Sequence, residues 1–230
     1  LGGNAPFIVF DDADLDKAVS GAMISKYRNA GQTCVCTNRI LVQHKIYDEF
    51  VSKFKSECEK LVIGDGQKET TTIGPLIDSN AAEDVKSLIE DAKIKGARVE
   101  LGGDSCDLGD NFINPTILSN INTSMRVFNE EIFGPVAPII KFETENEAIE
   151  LANQTDFGLA AYFYSRDVGR VYRVSEKLEF GIIGVNEGII SNEMAPFGGI
   201  KESGNGREGS KYGLDDYLEI KYVCVGGINE

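Results

Sequence analysis

Short unbroken apolar runs take turns along this chain with stripes of apolar residues at helical spacing, and that alternation limits it to one broad class of fold. Phe7-Ile8-Val9-Phe10 is a solid run, the pattern of a strand buried on both faces. Leu15, Ala18, Val19, Ala22 and Met23 follow the i, i+3, i+4 rule of a helix, with Asp14 placed to cap its start and Gly31 to stop it. Ile40-Leu41-Val42 reads as a second strand. Phe50, Val51, Phe54, Cys58 and Leu61 form a second helical stripe, and Val85, Leu88, Ile89 and Ala92 a third, ending at Gly96 before a strand over 99–101. In the second half, a strand over 136–142 leads into a helix opened by Thr144 with Glu147 three residues on, a capping box. A strand over 159–164, a helix over 168–178 and a solid apolar strand over 180–185 follow. Strands alternating with helices imply an α/β fold: an open parallel sheet with helices on both faces. Ligands of such sheets are expected on loops at the carboxyl ends of the strands.

Two segments depart from the alternation. Residues 196–213 are a loop rich in glycine. Tyr217 to Val223 then reads as a terminal strand, of the kind that pairs with its own sheet or with a neighbouring subunit.

Composition excludes several functions. Acidic side chains number 37 against 23 basic ones, a net charge of −14 in 230 residues, which disfavours nucleic acid or an anionic membrane as partner. No apolar run approaches the roughly 20 residues of a membrane span. A single histidine, His44, excludes His-rich metal sites, so no metal is expected. Five cysteines spread over the chain fit free thiols in a reducing, intracellular setting better than a disulfide framework.

Cys34 stands in Asn29-Ala30-Gly31-Gln32-Thr33-Cys34-Val35-Cys36, between the first helix and a strand. The small Gly-Gln-Thr lead-in allows close backbone approach to a ligand. Two readings stay open from the residues alone, a nucleophile and a buried inert thiol. His44, ten residues on and beyond a strand, is poorly placed as its base and reads as a surface residue. If the segment is extended, Cys34 and Cys36 project to one face, where a strained disulfide is conceivable. Cys58 falls on an apolar stripe and reads as core, while Cys106 and Cys224 carry no signal. Gly204-Asn205-Gly206-Arg207-Glu208-Gly209 matches G-x-G-x-x-G but lacks the strand before and the helix after, so it does not read as a dinucleotide loop. Glu130-Glu131 admits a solvated charge pair or a carboxylate held for ribose hydroxyls.

Taken in order, six segments resemble the aldehyde dehydrogenase superfamily, and within it the succinate-semialdehyde subgroup. They are Leu1-Gly2-Gly3-Asn4-Ala5-Pro6 to Phe10, Gly31-Gln32-Thr33-Cys34-Val35-Cys36, Glu130-Glu131-Ile132-Phe133-Gly134-Pro135, Gly184-Val185-Asn186-Glu187-Gly188, Pro196-Phe197-Gly198-Gly199, and Gly206 to Gly209 with Tyr217-Leu218-Glu219-Ile220-Lys221 after it. The resemblance implies that Cys34 attacks an aldehyde carbon, with the resulting oxyanion held partly by its own backbone N–H. It implies NAD or NADP as hydride acceptor, with Glu131 on the nicotinamide-side ribose, Phe133 flanking the nicotinamide and Leu1 near its carboxamide. Arg28 and Ser191 would hold the substrate carboxylate and Phe197 would line the tunnel. Cys36 would be the redox partner of Cys34. An anionic substrate in so acidic a chain needs a local cation, and Arg28 lies six residues before Cys34.

The resemblance also implies a division of the chain. Residues 1–202 would be the catalytic domain, and 203–230 a crossover segment with an oligomerisation strand serving a homo-oligomer. The general-base glutamate and the dinucleotide-binding domain would lie before Leu1. Oxidation of succinate semialdehyde to succinate is the expected reaction, with a small aldehyde as partner and the isolated chain inactive. Cytoplasm and mitochondrial matrix are not separated. Glutarate semialdehyde is an alternative substrate, a silent interaction module an alternative class, and a cysteine hydrolase of Cys34 with His44 a further one.

Overall fold

The structure is a computed structural model and describes residues 2–104 and 106–228. Its centre is a sheet of seven strands in the order β3-β4-β5-β2-β1-β7-β8. The strands are β1 (Ala5–Val9), β2 (Thr37–Gln43), β3 (Arg98–Leu101), β4 (Thr116–Ser119), β5 (Val136–Phe142), β7 (Ala160–Tyr164) and β8 (Ile182–Val185). β6 (Phe157–Gly158) and β9 (Ile200–Lys201) form a separate antiparallel pair. Every neighbouring pair in the main sheet is parallel except β3 with β4. The expected parallel sheet therefore carries one antiparallel edge strand, a common finish for sheets of this kind.

Among the described residues six α-helices follow in chain order: α1 (Leu15–Tyr27), α2 (Tyr47–Cys58), α3 (Ser79–Ile94), α4 (Arg126–Asn129), α5 (Glu145–Asn153) and α6 (Val168–Lys177). The two ends read from sequence are in place. Asp14 accepts from Lys17 N, and Thr144 Oγ1 accepts from Glu147 N at 3.2 Å. α1 steps from β1 to β2 in one direction across the sheet, and α5 steps from β5 towards β7 in the other. Right-handed crossovers in opposite directions leave their helices on opposite faces. β1 and β7 are completely buried, as their unbroken apolar runs require.

One expected element is not formed. The segment over 217–223 is no strand: a 3₁₀ turn ends at Tyr217, and from Glu219 to Ile228 the backbone makes no hydrogen bond among the described residues. Tyr217, Ile220 and Tyr222 stand exposed. A strand exists only where a ladder partner satisfies its backbone groups, and the described residues offer this segment none.

Candidate active site

The two edges of the parallel sheet differ in character. At the carboxyl edge, Asp12 Oδ2 accepts from Ser165 Oγ at 2.8 Å, Arg166 N at 2.8 Å and Asp167 N at 2.9 Å. Arg170 bridges Asp12 and Glu145 while stacking on Phe10. Burial pushes the Asp12 carboxyl up, but these bonds and the Arg170 charge outweigh it and hold the group below the ordinary value. The expected ligand edge is thus closed by a structural charge network. The candidate residues gather instead at the amino edge, where the chain enters β1, β2 and β5.

Cys34 is delivered there by a sharp exit from α1. Asn29, Ala30 and Gly31 all take positive φ, at 54°, 54° and 78°, so the chain leaves the helix through a left-handed kink. Gly31 is required twice over, since a Cβ would also come within 2.3 Å of Gly134 O. A tight turn follows, closed by Cys36 N donating to Thr33 O at 3.0 Å, and Tyr162 Oη donates to Val35 O at 2.7 Å to fix it to β7. Residues 33–36 are a turn rather than an extended segment, so the one-face argument for Cys34 and Cys36 does not hold. Both thiols are free. Cys34 opens on a cleft of about 560 Å³ shared with Leu159, Phe197, Ser203 and Glu208. The Cys36 thiol is buried against Lys26, at 3.5 Å from Nζ.

Burial pushes the Cys34 thiol above its ordinary value, and the negative charges of Glu131 and Glu208 add to that. The backbone N–H groups of Cys34 and Val35 work in the opposite direction without reversing it. No base touches the thiol among the described residues. His44 pairs with Glu143, Nδ1 to Oε2 at 2.7 Å, at the far end of β2. A seven-residue strand is about 23 Å long, so His44 cannot reach Cys34 and the hydrolase reading falls.

Glu131 is half-buried, and burial pushes its carboxyl up while the Gly3 N–H, donating to Oε1 at 3.0 Å, pulls it down. Its Oε2 accepts no hydrogen bond among the described residues. Phe133 is exposed beside it with φ 51°. Arg28 and Ser191 line one narrow groove with Thr33 and Val35, the residues on either side of Cys34. Among the described residues the Arg28 guanidinium has neither an ion-pair nor a hydrogen-bond partner. Phe197 closes the other side of Cys34 and is held there by paired backbone bonds to Glu208 at 2.7 and 2.8 Å. The structure therefore brings Cys34, Arg28, Ser191, Phe197, Glu131 and Phe133 to one edge. Leu1 lies outside the described residues.

A set of residues that the sequence reading passed over holds this edge together. Asn4 Oδ1 accepts from Asn38 Nδ2 at 2.8 Å and from Arg39 Nε at 2.9 Å, while Asn4 Nδ2 donates to Phe128 O at 3.1 Å. Asn38 Nδ2 also donates to Glu130 O at 2.9 Å, and its Oδ1 accepts from Ile132 N at 2.9 Å. Fully buried Arg39 adds bonds to the carbonyls of Asn4, Leu151 and Ala152, with burial pulling its guanidinium down to about 9.

Comparison with known proteins then decides the family, because the sequence pattern of the aldehyde dehydrogenase family matches residues 1–223. The chain belongs to the aldehyde dehydrogenase family. Over nearly its whole length it is 62% identical to the NADP-dependent succinate-semialdehyde dehydrogenase of Escherichia coli, covering 98% of this chain and 47% of that one. It is 60% identical to a 3-sulfolactaldehyde dehydrogenase of Pseudomonas putida, covering 100% and 47%, and 60% identical to a glutarate-semialdehyde dehydrogenase of Pseudomonas aeruginosa, covering 99% and 47%. The crystal structure of succinate-semialdehyde dehydrogenase from Burkholderia pseudomallei superposes with a TM-score of 0.96 at 58% identity, over 98% of this chain and 47% of that one. This aldehyde dehydrogenase chain spans about half the length of these relatives. Among its described residues no helix is long and apolar enough to cross a membrane.

Proposed function

We propose that this aldehyde dehydrogenase chain carries the nucleophile and the substrate-anion site of an NAD(P)-dependent semialdehyde dehydrogenase, with succinate semialdehyde as its substrate. The observation that carries the proposal is the Arg28 guanidinium, unpaired among the described residues, which shares a groove with Ser191 and with both neighbours of Cys34. A cation without a counter-ion, in a chain of net charge −14, is a site prepared for a substrate anion. An aldehyde whose far end is a carboxylate would be anchored there with its carbonyl presented at Cys34.

The Cys34 thiolate then attacks the carbonyl carbon, the C=O electron pair moves onto oxygen, and the backbone N–H of Cys34 steadies that oxyanion. A nicotinamide dinucleotide held at Glu131 and Phe133 would supply the acceptor for the hydride that leaves this carbon, the adduct on Cys34 thereby becoming a thioester. Water cleaves the thioester, releasing the acid and the thiol. The Oε2 of half-buried Glu131, which accepts no hydrogen bond among the described residues, fits a ribose hydroxyl, and exposed Phe133 next to it fits the flank of the nicotinamide. Leu1 is assigned the carboxamide side. Residues 1–202 form the catalytic unit in this reading. The exposed apolar side chains of 203–230, Leu218, Ile220 and Val223 among them, serve a homo-oligomer.

The names of the relatives support an aldehyde with an acidic far end and differ in which one. Steady-state rates across a chain-length series of ω-carboxylated aldehydes, measured on the complete dehydrogenase, test the substrate. The highest kcat/KM is expected at the four-carbon compound, and a maximum at the five-carbon compound would transfer the assignment to glutarate semialdehyde.

A further inference from the structure

Beneath the Cys34 turn lies a lysine that the proposed reaction does not use. Lys26, on the last turn of α1, is completely buried and has no carboxylate within ion-pair distance among the described residues. Its Nζ donates to Thr37 O at 2.9 Å, and among the described residues the only other group it meets at hydrogen-bond distance is the Cys36 sulfur at 3.5 Å. Cys36 is held just as firmly, its thiol facing the carbonyls of Lys26 and Thr37 at 3.4 and 3.3 Å. A side-chain nitrogen and a thiol sulfur are thus fixed in contact in a buried pocket, two residues along the chain from Cys34 and its open cleft.

We propose that Lys26 and Cys36 form a modification site, in which hydrogen peroxide joins Nζ to Sγ through a bridging oxygen. The balance is as follows. The thiol sulfur gives an electron pair to one peroxide oxygen, the O–O bond breaks, and water leaves a sulfenic acid on Cys36. After the ammonium of Lys26 loses a proton to solvent, its nitrogen attacks a second peroxide, giving a hydroxylamine and another water. The hydroxylamine oxygen then displaces hydroxide from the sulfenic sulfur, forming the S–O bond as a third water departs. In all, the thiol, the amine and two peroxides give one N–O–S bridge and three waters, with sulfur and nitrogen oxidised and peroxide reduced. One added oxygen can lie between atoms 3.5 Å apart only after they draw closer, and the flexible lysine stem provides that movement. The bridge would tie α1 to the start of β2, directly under the turn that presents Cys34. The contact geometry also sets it apart from a Cys34–Cys36 disulfide, since the two cysteines face different neighbours.

Peptide mapping by mass spectrometry after peroxide treatment of the chain tests this. The expected product is a Lys26–Cys36 linked peptide pair, heavier by about 14 Da (one oxygen gained, two hydrogens lost) and reversed by dithiothreitol. It should persist in Cys34→Ser and vanish in Lys26→Arg. If Lys26→Arg does not fold, the wild-type map and Cys36→Ser decide. A loss of about 2 Da with Cys34 linked to Cys36 would overturn the proposal, as would gains of only about 16 or 32 Da on an unlinked Cys36. An unmodified Cys36 beside an oxidised Cys34 overturns it equally.

Discussion

The backbone N–H of Gly3 donates to the carboxylate of Glu131 across 3.0 Å, joining positions 128 residues apart. The same glycine lies so close to the nucleophile turn that a Cβ on it would stand 2.1 Å from Cys34 O. Three segments, the entries to β1, β2 and β5, thus meet at one backbone position, and the absence of a side chain there is what lets them meet.

Gly3→Ala should therefore displace the Cys34 turn. Overpacking of this kind costs about 1–3 kcal/mol. A lowered midpoint in urea is expected, together with an altered rate of Cys34 alkylation. A variant that unfolds and labels as the parent does would show that the turn is free to move.

Alkylation of Cys34 should also be slow at neutral pH. Burial, Glu131 and Glu208 all favour the neutral thiol, so the thiolate fraction grows only as pH rises past the ordinary thiol range. Glu208→Gln removes one repelling charge and should shift the rate–pH curve to lower pH. Iodoacetamide labelling between pH 6 and 10, read by mass, measures both (~4 units of range suffice for one titration). A curve that rises below pH 7 in the parent chain would contradict the assignment. For the same reason, and with no base on the thiol among the described residues, the 230-residue chain alone is expected to form no NAD(P)H from aldehyde.

How far the sequence could be read depends on where each determinant lies. β1 announces itself because a strand buried on both faces must be apolar throughout, β5 because its apolar run is broken only by the exposed Lys141, and the α5 start is visible because its cap is local. β4, only four residues between Pro115 and Asn120, has no period long enough to detect. That β3 runs antiparallel to it is a property of the connection and leaves no mark on residues 98–101. The reading of β2 began at Ile40 and so missed Thr37-Asn38-Arg39, whose polar side chains are buried because Ser25 satisfies Thr37, Asn4 and the 128–132 segment satisfy Asn38, and Asn4 with the 151–152 carbonyls satisfies Arg39. Polar residues fused to a solid apolar run were the available signal. Which edge holds the site could not be read at all, since it depends on Asp12 and Arg170 closing the other one. Arg28 and Ser191, far apart in the chain, were joined only by family resemblance, and the groove gives that pairing its physical form.

The Asn4–Arg39 contact leads to a stability prediction. Asn4→Ala removes one acceptor from a buried charge that has no carboxylate partner among the described residues, and one of the two acceptors of the Asn38 amide N–H group as well. A buried charge left short of partners costs about 3 kcal/mol. Arg39→Met, which removes the charge and keeps most of the volume, should cost less than Asn4→Ala, because it leaves no buried charge behind. Equilibrium denaturation of the two variants checks the order, and the reverse order would mean that Arg39 acts chiefly through its own bonds to Leu151 and Ala152.

Arg28→Ala tests the substrate anion directly, in the complete dehydrogenase. If the guanidinium holds a carboxylate in the transition state, its loss removes a charge-assisted hydrogen bond of about 1.5–3 kcal/mol, or roughly 10- to 150-fold in kcat/KM. A neutral aldehyde of equal length makes no such bond and should change by less than about 2-fold. The discrimination, and not the loss itself, is the informative quantity, because a shifted Cys34 turn would slow both substrates alike. Ser191→Ala should give the same pattern at smaller amplitude, since a hydroxyl contributes one neutral donor to the anion. Equal losses on charged and neutral aldehydes would assign Arg28 to holding the turn and leave the substrate anion without a site in this chain.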